Sequence, residues 1–95
     1  MQNALSVLPK LDPSQLKFFT KRISANLDLP LTSIFSPEKL QFYEDEVGLS
    51  LQELKTLEEF TKYIYTIAAG SRSFDPAREV MDKIGLDESQ SKVFE

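Results

Sequence analysis

Serine and threonine hydroxyls abound in this chain, but no residue type that usually activates them accompanies them. The 95 residues include no His, no Cys and no Trp. Ser–His–Asp triads, Cys–His pairs, thiolate zinc sites and disulfides are therefore excluded within it. A lysine base needs burial, and every Lys here falls on or near a polar face. Three glycines leave no room for a Gly-rich phosphate loop. Paired carboxylates remain, yet a small domain filled by its own side chains offers little space for a substrate cleft. The expectation is a non-enzyme with no cofactor and no metal.

Two polar runs invite a closer reading. Asp87-Glu88-Ser89-Gln90-Ser91-Lys92 places oxygens at alternate positions, as a calcium loop does. Lys92, however, stands where that loop needs Gly, and no bidentate acid follows at the right distance. Asp87 reads instead as a helix cap. Glu44-Asp45-Glu46 puts three acids near a helix C-terminus, the end where the macrodipole disfavours negative charge. That placement reads either as a solvated acidic corner or as a contact rim for a basic partner.

Aromatic residues supply a third signal. At 100° per residue, Phe18 lies about 200° from Leu16, on the far side of its helix, and Phe42 stands in the same relation to Leu40. Tyr63 points away from the centre of its own apolar arc. Either another element covers them, such as an N-terminal segment with Leu5 and Leu8, or they form an exposed patch for a protein partner. The run Lys17-Phe18-Phe19-Thr20-Lys21-Arg22 mixes bases and aromatics as some nucleic-acid surfaces do. Fifteen acids against eleven bases give a net charge of −4, which opposes a phosphate backbone as partner. A helical nucleic-acid-binding domain using the Lys17–Arg22 face is the weaker alternative, and a stand-alone acidic adaptor is another.

These residues must be positioned by helices. Leu11-Asp12-Pro13-Ser14-Gln15-Leu16 combines a capping box of Asp12 and Gln15, a proline at the first helical position and a staple of Leu11 on Leu16. Leu49-Ser50-Leu51-Gln52-Glu53-Leu54 repeats the box and the staple. Phe35-Ser36-Pro37-Glu38-Lys39-Leu40 has cap, proline and staple, but Lys39 replaces the acid of the box. Phe74-Asp75-Pro76 and Leu86-Asp87 open two more helices. Gly70 and Gly85 suit the left-handed residue after a helix, and Pro30 ends the helix that starts at Pro13.

Helices are expected at about 13–28, 37–47, 51–69, 76–84 and 88–95, with a short one near 3–8. Leu16, Phe19, Ile23 and Leu27 form the buried stripe of the first long helix, Leu40, Tyr43 and Val47 that of the next. The helix from Leu51 is apolar around much of its circumference, leaving Lys55, Glu59, Lys62 and Thr66 polar, and should lie at the centre. Val80, Met81 and Ile84 pack the helix after it. The segment from Leu29 to Phe35 is too apolar for a solvated loop and should pack down on the bundle. The fold class is all-α, one compact bundle of about six short helices over residues 1–95, monomeric in isolation. Hydrophobic residues at 41% and a mass of 10.8 kDa fit a single modest core. No signal-peptide pattern, no membrane-length apolar run and no Gly at position 2 for myristoylation point to a soluble protein of the cell interior.

From about Leu11 to Phe94 the chain resembles the helical N-terminal domain of the COMM-domain-containing proteins. The likeness rests on the helix entered by Leu11-Asp12 and carrying Leu16, Phe19, Ile23 and Leu27-Asp28-Leu29. It continues through Phe35-Ser36-Pro37-Glu38-Lys39-Leu40, the apolar helix from Leu51, and Ile84-Gly85-Leu86 before a polar helix ending in Val93-Phe94. These are patterns rather than a signature motif. The α+β module that names the family, through which members pair, is not in these residues, so an excised domain is expected. The resemblance implies a subunit of an endosomal sorting assembly, cytoplasmic, endosome-associated or nuclear. It also implies coiled-coil scaffold proteins and other family members as partners, and roles in NF-κB and cullin ubiquitin-ligase regulation. Copper binding, suggested within that family, does not carry over to a chain without His or Cys.

Overall fold

Helix starts dominate the local architecture. In the computed structural model, which describes residues 8–95, a single 3₁₀ turn at Leu8–Lys10 leads into six α-helices, and no strand occurs among the described residues. They are α1 (Pro13–Ser24), α2 (Leu31–Ile34), α3 (Pro37–Phe42), α4 (Leu51–Ser71), α5 (Asp75–Ile84) and α6 (Glu88–Val93). The helix expected near 3–8 lies, but for Leu8, outside the described residues. The all-α expectation holds, and the capping boxes close as written. Asp12 accepts from the Gln15 N–H while Gln15 reaches back to the Asp12 N–H. Ser50 and Glu53 do the same at α4, and Asp87 with Gln90 at α6. Ser36 caps α3 by accepting the Lys39 N–H, with Lys39 unable to complete a box.

Helix ends depart from expectation in four places, each with a local cause. First, α1 stops at Ser24 rather than near 28. The Asn26 backbone N–H closes onto the Ile23 carbonyl, and its side-chain amide onto that of Arg22, which tightens the chain into turns. Leu27 thereby leaves the stripe of Leu16, Phe19 and Ile23 and is exposed. Second, Leu31–Ile34 forms a helical turn. Leu31, Ile34 and Phe35 are all buried, so the segment does pack down, as a helix rather than a loop.

Third, α3 widens at Tyr43–Val47 into a π-helical turn, closed by Gly48 at φ 83°. Tyr43 and Leu49 are buried by this turn, while Leu40 and Val47 are only half-buried, against the expectation that both would be core. Fourth, α4 runs through Gly70 to Ser71, and the left-handed residue is Arg72 at φ 55°. Gly85 does adopt its expected left-handed conformation. Asp75, expected just ahead of a helix over 76–84, sits inside the first turn of α5, where its N–H is met by the Ser73 hydroxyl and its carboxylate pairs with Arg78. Ile84 at the far end is exposed rather than packed.

The central position of α4 is as expected. It packs on α1 along one side and on α5 along another, and α6 crosses back onto α1 and α5. Leu54, Leu57, Thr61 and Ile64 of α4 are buried, and Phe94 seats edge-on against Phe60 at 5.7 Å. At the other end of the core, Phe19 stacks on Phe35 at 5.1 Å, and the buried Tyr43 ring meets both edge-on at 6.0 Å. Lys62 of α4 pairs with Glu58 at 3.1 Å and donates to the Leu29 carbonyl at 2.8 Å, which ties the chain after α1 to the central helix. No helix among the described residues is long and apolar enough to cross a membrane.

Candidate functional site

Burying one face of α1 forces its opposite face outward. Leu16, Phe19, Thr20 and Ile23 point inward, so Phe18 is driven to the surface, 46% exposed. In α3 the inward residue is Tyr43, and Phe42, one position earlier, is left 39% exposed. Neither ring hangs free. Phe18 leans on Phe35 at 6.3 Å and Phe42 on the edge of Tyr43 at 5.9 Å, so both are outward extensions of the buried aromatic cluster. A ring held from below loses little side-chain freedom when a partner covers it, which suits an anchor.

Lys39 joins the two rings. Its Nζ lies 4.7 Å from the centroids of both Phe18 and Phe42 and 5.3 Å from that of Tyr43. An ammonium over exposed rings gains about 0.5–1 kcal/mol per contact, enough to bias its rotamer toward the rings. Phe18, Lys39 and Phe42 thus form one continuous patch. Lys39 was legible in the sequence only as the residue that spoils a capping box. The i, i+3 spacing of Lys39 and Phe42 was the available signal for half of the contact.

Shallow grooves flank the patch. One is lined by Phe18, Arg22, Ile34, Phe35, Ser36 and Lys39, with Arg22 held in place by donating to the Ile34 carbonyl at 2.9 Å. The other, about 480 Å³, is lined by Pro37, Glu38, Gln41, Phe42, Asp45 and Glu46. Phe42 therefore shares a groove with two members of the expected acidic rim. Glu44 is exposed but does not line that groove. Asp45 accepts from the Gln41 side chain at 3.0 Å, and no ion pair engages Glu44, Asp45 or Glu46 among the described residues.

Tyr63 is more exposed still, at 55%, but it has no ring contact with the patch. It stands alone on α4. Leu8 is buried and lines a small groove with Leu11, Leu16 and Val93 at the α1–α6 junction, and Leu5 lies outside the described residues, while all three aromatics are exposed. The basic run from Lys17 to Arg22 is divided by the fold. Phe19 and Thr20 enter the core, Arg22 turns to the α2–α3 junction, and Lys17 and Lys21 face solvent.

Elsewhere, Asp87 accepts the Gln90 N–H and the Ser89 hydroxyl, each at 2.8 Å. Those hydrogen bonds hold its carboxyl below the usual range, as a cap residue requires. No group of three or more acids that could hold a metal occurs among the described residues. A cleft between α5 and α6 is lined by Arg78, Asp82, Glu88, Ser91, Lys92 and Glu95. Within it Arg78 pairs with Glu95 and Lys92 with Glu88, and Arg78 also reaches Asp75 outside the cleft. Burial pushes the Tyr43 phenol up to about 12, and Tyr65 moves the same way, with the Thr20 side chain offsetting part of the rise. No family model, curated protein or solved structure matches the chain.

Proposed function

We propose that this chain is a non-catalytic protein-interaction domain whose docking surface is centred on Phe18, Lys39 and Phe42. The observation that carries the reading is the joining of two half-exposed rings by one lysine over a buried aromatic base. Phe18 and Phe42 act as anchors, Lys39 orients a partner's carboxylate or carbonyl between them, and Asp45 and Glu46 beside Phe42 receive a basic residue. Tyr63 and Glu44 belong to the outer surface rather than to the anchor set. In keeping with the COMM-type pattern of helix starts, the domain serves as the helical arm of a subunit in an endosomal sorting assembly. Its partners are then coiled-coil scaffold proteins, and a role in NF-κB or ubiquitin-ligase regulation follows from that assembly.

The test is capture of purified coiled-coil scaffold subunits of that assembly by the immobilised chain. Wild type retains them, and Phe18→Asp and Phe42→Asp each weaken retention about tenfold or more, as hot-spot aromatics do. Tyr63→Asp leaves it within about twofold, as an isolated surface position does. Retention unaffected by both phenylalanine changes overturns the patch, and no retention by wild type overturns the assignment to that assembly.

A further inference from the structure

We infer that Ser36 is a phosphorylation site and that its phosphate is gripped by Arg22 and Lys39. Of the five prolines, only Pro37 follows a hydroxyl residue, and Lys39 stands three positions after the serine. Proline-directed kinases recognise a serine followed by proline, with a basic residue at that third position. The structure presents the motif accessibly. Ser36 and Pro37 are exposed, and the backbone is extended at Phe35 (φ −116°, ψ 140°) and Ser36 (φ −67°, ψ 158°). A kinase cleft reads its substrate in extended form, so the first turn of α3, Pro37–Lys39, which Ser36 caps by accepting the Lys39 N–H, frays open for the reaction.

The product has a place to go. Ser36 lines the same groove as Arg22 and Lys39, and the Arg22 guanidinium is already fixed there by the Ile34 carbonyl. Glu38, the nearest acid in sequence, lines the separate groove on the Phe42 side. In the reaction, the Ser36 Oγ attacks the γ-phosphorus of ATP. The new Oγ–P bond replaces the bond to the bridging oxygen, ADP leaves with that electron pair, and the hydroxyl proton passes to the kinase's base. A phosphate carrying close to two negative charges holds an ammonium more strongly than a ring face does. Lys39 therefore swings from Phe18 and Phe42 toward the phosphate, and the aromatic patch loses its central cation. None of this requires a partner on the patch.

The experiment incubates the full chain with a cyclin-dependent kinase and magnesium ATP, beside a peptide of residues 33–41. The expected result is a single phosphoryl group on the folded chain, absent in Ser36→Ala. Phosphorus NMR then titrates the phosphate about 0.5 pH unit lower in the folded chain than in the phosphopeptide, because two cations favour the dianion. That difference shrinks in Arg22→Gln and in Lys39→Gln. The Lys39 side-chain protons also move downfield on phosphorylation as they leave the rings. A folded chain that stays unmodified at Ser36, whether or not the peptide reacts, overturns the site. A phosphate that titrates as in the peptide, with Lys39 protons unmoved, overturns the grip.

Discussion

Replacing Phe42 by Asp removes a ring that is 39% exposed, rests on Tyr43 at 5.9 Å and faces the Lys39 ammonium at 4.7 Å. Burying a phenylalanine fully contributes about 1.5–3 kcal/mol, so a ring left more than a third in water forfeits roughly 1 kcal/mol on removal. The edge contact and the cation contact add about 0.5–1 kcal/mol each. A carboxylate at the same position then faces Lys39 and recovers a few tenths of a kcal/mol, offset by its nearness to Asp45 and Glu46. The net cost is about 2–3 kcal/mol. A domain of this size holds roughly 5–14 kcal/mol, so the variant stays folded.

Tyr43, the next residue, is the control. Its ring is fully buried between Phe19 and Phe35, and truncation to Ala costs about 3–5 kcal/mol, as for other large core aromatics. Urea unfolding followed by far-ultraviolet circular dichroism separates the two, with an unchanged slope and a modestly lowered midpoint for Phe42→Asp. Equal losses in both variants refute the reasoning. Phe42 would then be core, and any effect of its replacement on binding would be a consequence of unfolding.

Three further outcomes follow from the same packing. The fold favours the neutral Tyr43 phenol, with a value of about 12 against 10.0 unfolded. Stability is therefore intact below pH 10 and falls by about 2–3 kcal/mol as pH rises from 10 to 12, and Tyr43→Phe flattens that fall in alkaline urea titrations. Lys62→Met strands the buried Glu58 carboxylate and frees the Leu29 carbonyl, costing about 2–3 kcal/mol, whereas the double change with Glu58→Leu regains most of it; simple addition of the single effects would show that the pair is not coupled. Gly70→Ala raises stability by about 0.5 kcal/mol because nothing lies within 4 Å of the added carbon, and Arg72→Gly does so by relieving the left-handed residue; a destabilising Gly70→Ala would place the helix end at Gly70 instead.

Helix starts were legible because each is a local device. A cap, a box partner and a proline lie within four residues of one another, and the hydrogen bonds they make need no tertiary partner. Helix ends were less so. Gly70 has the right residue type for a stop, but Ala68 and Ala69 before it and Ser71 after it let the helix continue. Ser71 then satisfies the Ile67 carbonyl with its own hydroxyl at 2.7 Å. The turn at Leu31–Ile34 has apolar residues at i, i+3 and i+4, a helical spacing, yet it is too short to stand without the core that receives it. The π-turn at Tyr43–Val47 has no sequence signal. It is the adjustment that lets both Tyr43 and Leu49 be buried across one Gly48 turn.

The candidate site divides along the same line. Helical geometry alone places Phe18 opposite Leu16 and Phe42 opposite Leu40, and both rings are exposed as that geometry requires. What periodicity cannot supply is that two rings from different helices sit beneath one ammonium. That depends on Phe35, which ends α2 in the core, touches Phe18 and Phe19 of α1 and Tyr43 beyond α3, and so sets the spacing between the two helices. Phe35 is therefore the residue through which core packing and surface chemistry are linked. Trimming it disturbs the patch from beneath, whereas trimming Phe42 disturbs it from above and leaves the core in place. Lys39 departs from the capping-box pattern: an acid there would reach back to the Ser36 N–H, as Glu53 does to that of Ser50, whereas the ammonium lies over Phe18 and Phe42. Loss of the box leaves Ser36 to cap α3 alone, and the lysine gains a place over both rings.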